Sequence, residues 1–459
     1  MAKKVSFDYD LVVIGSGAGG SAAATLAARA GKKVAIIEAD TFGGDSPNWS
    51  DVPTKALLHA AQLYDEARHG ARFGLRSSTL GYNYPSLRAW KELAVKRTGA
   101  GGNRQYYEKE GITTFVGVAH FLTPHEISVN RRHLTGAHFL IATGSHWVAP
   151  NIQGLKDVSY LTPRTLLEAM RPPKSLYIIG AGTIGVEIAQ LMAIFGTKVY
   201  LAEIASRLLP NEDEEVGVLL ERVLKEQKGV TSLTQTRTLA VVKDGIGKRV
   251  TYNRGGVEKS IKVDEVLIAT GRTPVVDLGL ENAAVAYTPK GIAVNNHLQT
   301  SARHIFAAGD VLGRNSHTHT ALLESQVAAH NLIHPKSKIN PDYTATSHLT
   351  FTHPGIASVG LSEDDCLKRD LPINKAVAPL NIIARSNTSD FRDGFVKIIT
   401  DKKGVILGAT IVAPHASEMI HELALAVKFG LTASDVAGTP HAFLSWSEAV
   451  RVAAARLAN

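Results

Sequence analysis

Two sets of glycines, each closed by a glutamate, are the residues of this chain that point most directly to chemistry. Gly15-Ser-Gly17-Ala-Gly-Gly20 follows an apolar run at 11–14, and Glu38 stands 18 residues after Gly20. Gly180-Ala-Gly182-Thr-Ile-Gly185 follows an apolar run at 176–179, and Glu203 stands 18 residues after Gly185, so the whole set recurs at an offset of 165. In such a turn the first glycine permits the tight bend, the second lets backbone approach a pyrophosphate, and the third lets the helix pack on the strand. The helix that follows directs its N-terminus at the phosphates. The carboxylate at the end of the next strand accepts hydrogen bonds from adenosine ribose hydroxyls. One such glycine pattern is weak evidence; two complete copies with matched acids specify two dinucleotide sites.

Those residues need elements to position them. Each copy reads strand, turn, helix, strand, closing on Lys33-Val-Ala-Ile-Ile-Glu38 and on Lys198-Val-Tyr-Leu-Ala-Glu203. That is the βαβ pattern of a parallel sheet. A second repeat, Phe139-Leu-Ile-Ala-Thr-Gly144 and Val266-Leu-Ile-Ala-Thr-Gly271, gives two buried strands that end in Thr-Gly turns. Ile305-Phe-Ala-Ala-Gly309-Asp310 is a further strand, whose terminal carboxylate could accept a bond from a ribityl hydroxyl.

Composition narrows the class. At 459 residues, with 44% hydrophobic and 20% charged residues, the chain has room for about three domains of an ordinary globular protein. Its net charge of +8 comes without a dense Lys/Arg run, so no nucleic-acid partner is expected. Cys366 is the only cysteine, which excludes an intrachain disulfide, and its helical setting reads as inert. The N-terminus has no apolar core before Asp8 and Asp10, and the most apolar long stretch, 176–195, contains Glu187 and a glycine turn. Neither a signal peptide nor a membrane span is expected, and a cytoplasmic location is the default. His317, His319 and His441 lack metal-ligand spacing, so no metal is expected.

On these motifs the chain resembles the flavoprotein disulfide reductases, the group of dihydrolipoyl dehydrogenase, glutathione reductase and mercuric reductase, over essentially its whole length. Gly43, Gly44, Asn48, Pro53, Thr54 and Lys55 match the family segment that follows the first fingerprint, and Gly144, Glu187, Gly271, Arg272, Gly309 and Asp310 match later motifs. Phe351-Thr-His-Pro354 resembles the opening of the interface domain. The resemblance implies an α/β fold with FAD bound by residues 1–150 and 275–345, a nicotinamide nucleotide bound by 151–274, and a dimerisation domain over 346–459. It implies a homodimer in which each C-terminal segment reaches the other subunit's flavin. Lys55 would lie beside flavin N5 and pair with Glu187, Ala119 would contact the FAD adenine through backbone, and the helix starting near His319 would aim its N-terminus at the flavin. A helix N-terminus stabilises the negative charge of a reduced flavin.

Two departures redirect the expected chemistry. Aligned on Gly43-Gly44 and Pro53-Thr-Lys55, the family's redox cysteines fall at Ser46 and Asp51, and its acid–base histidine falls at Phe443 within His441-Ala-Phe443-Leu-Ser-Trp-Ser-Glu448. Thiol exchange needs a thiolate and a proton carrier, and both are replaced. The expected activity is NADH oxidation through FAD with delivery to a small non-disulfide acceptor such as a quinone. Trp49, His59 and the C-terminal segment also echo the soluble pyridine nucleotide transhydrogenases. That alternative needs NADP(H), which Glu203 opposes unless Arg207 compensates. A third reading is a flavin-loaded dimer with a structural or regulatory role. Asp51, Lys55 and His59 fall on one face of a helix, so Asp51 competes with Glu187 for Lys55 or simply suits a helix start. Trp49 and Phe443 read either as packing residues or as a lid over a planar acceptor.

Overall fold

The computed structural model describes residues 6–76, 80–98, 103–314 and 317–458. The chain divides into two compact units. One comprises Met1–Ala56, Arg88–Val148 and Gly271–Tyr343; the other comprises Leu57–Leu87, Ala149–Thr270 and Thr344–Asn459.

The first unit is built on five parallel strands in the order Thr113–Val116, Val34–Glu38, Tyr9–Ile14, Arg132–Ile141 and Ile305–Ala307. Away from the edge strand Thr113–Val116 and the strand beginnings, the side chains are buried on both faces, as a doubly covered parallel sheet requires: Leu11, Val12, Val13, Ile36, Phe139 and Ile305 are all inaccessible. The register aligns Ile14 with Ile37 and with Ile141, and Ile141 with Ala307. Every functional turn of this unit therefore leaves the same carboxyl edge of the sheet, the edge where such sheets bind ligands. The strand Arg132–Ile141 starts well before the apolar run at Phe139. Its first half pairs antiparallel with Glu126–Val129 and alternates exposed with buried positions, so its composition there is half polar.

The second unit holds a four-stranded parallel sheet in the order Thr231–Leu233, Lys198–Ala202, Ser175–Ile179 and Glu265–Ile268. A three-stranded antiparallel sheet runs through Thr236–Asp244, Gly247–Arg254 and Val257–Val263. Its C-terminal part is a five-stranded antiparallel sheet running from Ser347–Thr350 to Asn374–Pro379, with the helices Ala416–Phe429 and Glu448–Ala455 over a core that includes Ile398, Ile411, Ile420 and Val450. The α/β class expected from the sequence is the one observed. Among the described residues no helix is long and apolar enough to cross a membrane.

Candidate active site

The two glycine turns adopt one geometry twice. Gly15 and Gly180 have φ of +103° and +102°, a region closed to other residues without strain. A Cβ on Gly20 would lie 2.0 Å from the Gly15 carbonyl oxygen, and one on Gly185 would lie 2.1 Å from that of Gly180. These glycines are demanded by the fold itself. Gly182 is different: apart from its chain neighbours, no described atom lies within 4 Å of where its Cβ would be. Its identity therefore points outward, to something that approaches the backbone. Gly17 and Gly182 are the N-caps of the helices Ala18–Arg29 and Thr183–Ile194, neither of which has a side-chain cap or an acid in its first turn. Uncapped N-termini of this kind suit an anion, so the residues present fit dinucleotide phosphates.

The closing glutamates repeat as closely. Glu38 accepts the Ser16 amide at 3.0 Å and the Asp40 amide at 2.9 Å; Glu203 accepts the Ala181 amide at 2.8 Å and the Ala205 amide at 2.9 Å. Each carboxylate is thereby held at the sheet edge with lone pairs still open to ribose hydroxyls. In the first unit Gly144 (φ +69°) and Gly309 (φ +81°) leave the same edge, and Ala119, only 3% exposed, begins the strand Ala119–Thr123. Asp310 Oδ2 accepts the Ser145 hydroxyl at 2.6 Å, Ser145 Oγ accepts Arg272 Nε at 2.7 Å, and Arg272 pairs with Asp45. This chain of bonds ties the Gly-Asp turn to the short helix Asp45–Asn48 that carries Ser46. His319 lies in the first turn of the helix Thr318–Ile333, its ring stacked on that of His317. Gly271 follows the strand Glu265–Ile268 with φ +120°.

The most informative cluster surrounds Asp51, the first residue of the helix Asp51–Arg68. Asp51 Oδ2 accepts the Ser46 hydroxyl at 2.7 Å and the Thr318 hydroxyl at 2.8 Å, while Lys55 Nζ lies 3.5 Å from Oδ1. Partial burial would raise the Asp51 carboxyl, but Lys55 and the two hydroxyls outweigh it and hold the group below the usual carboxylate range. Where the family motif places two cysteines, this chain places a hydroxyl bonded to a carboxylate. Thr318 is a member of the cluster that the sequence did not mark, since it comes from a segment 267 residues away.

In the second unit Glu187, 1% exposed, accepts the Phe351 amide at 2.8 Å. One helical turn on, Gln190 accepts the His353 amide and donates to the His353 carbonyl, at 2.7 and 2.9 Å. The segment opening the C-terminal sheet is thus stitched to the fingerprint helix. Burial pushes the His353 imidazole down to about 4, so it is neutral.

Arg207, a candidate counter-charge for a 2′-phosphate, is engaged through Nη2, which donates to the Pro210 and Glu212 carbonyls at 3.2 Å each and lies 3.6 Å from Asp364, while its Nε has no hydrogen-bond partner among the described residues. Phe443 is 75% exposed, so its ring is not packed into the core of its own chain. Close by, Glu448 Oε2 is shielded from solvent without a hydrogen-bond partner among the described residues. His441 pairs with Glu422 at 3.2 Å. Cys366 is fully buried and its thiol is pushed up by desolvation, which makes it unreactive. Among the described residues no group of three or more His, Cys, Asp or Glu side chains is arranged to hold a metal ion.

Comparison with known proteins agrees with this geometry. The family model described as pyridine nucleotide-disulphide oxidoreductase matches residues 9–325, and the dimerisation domain of the same group matches 346–454. A mercuric reductase of Bacillus cereus is 34% identical over 452 residues, covering 98% of this chain and 71% of the relative. A dihydrolipoyl dehydrogenase of Geobacillus stearothermophilus is 33% identical over 457 residues, covering 98% and 96%. Among solved structures, the Cu(II) complex of the HOCl-induced flavoprotein disulfide reductase RclA from Escherichia coli is similar with a TM-score of 0.86 and 26% identity, covering 98% of this chain and 99% of that one. LpdA from Mycobacterium tuberculosis is similar with a TM-score of 0.87 and 26% identity, covering 98% and 100%.

Proposed function

The chain belongs to the pyridine nucleotide-disulphide oxidoreductase family, and from that premise we propose that it is an FAD-dependent NADH oxidoreductase whose electrons go to a non-disulfide acceptor, a quinone or a similar planar compound. The observation that carries this reading is the 2.7 Å hydrogen bond from Ser46 to Asp51 at the positions of the family's redox cysteines. Neither side chain can take up electrons or form a bond to sulfur.

Gly15, Gly17, Gly20, Glu38, Ala119, Gly144, Gly309, Asp310 and His319 would hold FAD, and Gly180, Gly182, Gly185, Glu203 and Gly271 the nicotinamide nucleotide. We assign the first role to residues 1–150 and 275–345, the second to 151–274, and dimerisation to 346–459, with the homodimer as the working assembly and the cytoplasm as its location. Bound FAD supplies the chemistry of accepting a hydride from a reduced nicotinamide and returning electrons to an acceptor. We assign Lys55 and Glu187 to orienting the reactants, with Asp51 anchoring the Lys55 ammonium through their ion pair.

Glu203 favours NADH. A 2′-phosphate would set like charges together, and the Nη2 of Arg207, four residues on, already donates to the Pro210 and Glu212 carbonyls. The purified protein is expected to oxidise NADH with quinones and to leave lipoamide and glutathione disulfide untouched. Its kcat/KM for NADH should exceed that for NADPH by about tenfold or more, the scale of one misplaced charge or unpaired buried group. Glu203→Ala should narrow that ratio. Equal or better use of NADPH by the unmodified protein would sink the nucleotide assignment and favour transhydrogenation; turnover of either disulfide would sink the acceptor assignment.

A further inference from the structure

We propose that Glu324, buttressed by Tyr343, is a positioning residue for the flavin half of the dinucleotide site, acting through the backbone that presents Asp310. The inference rests on the reading of the first unit as the FAD-binding one. Glu324 is a carboxylic residue only 1% exposed, in the middle of the helix Thr318–Ile333. A buried carboxyl group is costly unless it is hydrogen-bonded. Here it has two donors: the Gly309 amide lies 2.7 Å from Oε2 and the Tyr343 hydroxyl 2.6 Å from Oε1, with Arg314 Nε at 4.0 Å.

The Gly309 amide needs such an acceptor. The sheet ladder ends one residue earlier, where the Ala308 amide donates to the Ile141 carbonyl, and at Gly309 the backbone turns to φ +81°. Glu324 fixes that turned peptide, and the next residue is Asp310. With Asp310 Oδ2 pinned by Ser145, Oδ1 has no hydrogen bond among the described residues and is the atom left for a ligand hydroxyl. The neighbouring side chain on the same helix, Ser325, accepts the Ala23 amide of the first fingerprint helix at 3.0 Å. Two consecutive residues thus grip the two structures that a dinucleotide would touch: Glu324 the turn meeting its ribityl end, Ser325 the helix meeting its pyrophosphate.

The separation of these grips makes the role testable without turnover. FAD and ADP are titrated separately into full-length protein stripped of flavin, with calorimetry as the readout. ADP shares the pyrophosphate and adenosine of FAD but has no ribityl chain to meet Asp310. Glu324→Ala is expected to raise the FAD Kd ~10- to 100-fold, the scale of one buried charge-assisted hydrogen bond, while the ADP Kd stays within about threefold. Glu324→Gln is expected to restore most of the FAD affinity, because its amide oxygen can still accept from Gly309. Tyr343→Phe, which removes one buttress and no acceptor, should weaken FAD a few-fold and leave ADP unchanged; it decides the matter if Glu324→Ala does not fold. Unchanged FAD affinity in these variants, equal weakening of FAD and ADP, or a glutamine no better than alanine would overturn the proposal. Wild-type protein that binds ADP but no FAD would instead remove the FAD reading, and the proposal with it.

Discussion

Asp51→Asn is expected to slow reoxidation of the NADH-reduced protein by quinone roughly 10²-fold, the usual scale of general acid–base assistance, while reduction by NADH stays within a few-fold. The expectation follows from what the carboxylate touches. Ser46, Thr318 and Lys55 all point hydrogen-bonding groups at it, and together they keep it ionised despite partial burial. The ionised carboxylate therefore anchors the Lys55 ammonium one helical turn away, holding a proton donor where an acceptor oxygen gains charge. Asparagine keeps the size of the side chain and an oxygen for the two hydroxyls, but it carries no charge to anchor the Lys55 ammonium. Rapid-mixing absorbance separates the two half-reactions. If both are unchanged, Asp51 serves only as a favourable acid at a helix start.

Lys397→Ala is expected to lower unfolding stability by about 3–5 kcal/mol, the cost of removing one partner from a buried ion pair. Lys397 sits in the strand Phe395–Thr400 with no exposed surface at all. Its ammonium lies 3.0 Å from Asp213 and 3.2 Å from Glu215, and it also pairs with Glu363. Burial would lower its affinity for a proton, but the three carboxylates outweigh that and raise it. Alanine would leave these acids without their central cation, with Asp213 itself buried. Denaturant melts of both proteins measure the difference; a loss under about 1 kcal/mol, the range of surface pairs, would show that the cluster is solvated and relaxes.

The sequence was legible where function is local to the backbone. Gly15, Gly20, Gly180 and Gly185 are fixed by turns a few residues long, and Glu38 and Glu203 by the strand ends that follow. The pairing of Asp51 with Lys55 follows from one helical turn. Contacts set by tertiary packing were not legible. Thr318 reaches Asp51, Arg272 reaches Asp45 and Ser325 reaches Ala23 from segments hundreds of residues away, with no pattern to announce them. Lys397 interrupts an apolar strand and reads as a solvent-facing residue until its three acids are brought around it. Arg207 stands four residues after Glu203, yet its Nη2 turns to the Pro210 and Glu212 carbonyls, a choice that no local pattern announces.

The central claim is that this member of the family has no redox centre beyond its flavin, and an anaerobic NADH titration tests it most directly. The flavin spectrum should bleach completely with about one NADH per FAD, two electrons in all, because FAD itself takes only two electrons and Cys366 is a single, buried thiol. The reduced protein should then be reoxidised by quinone and not by lipoamide. Uptake of about four electrons per FAD, or reoxidation by a disulfide, would contradict the account.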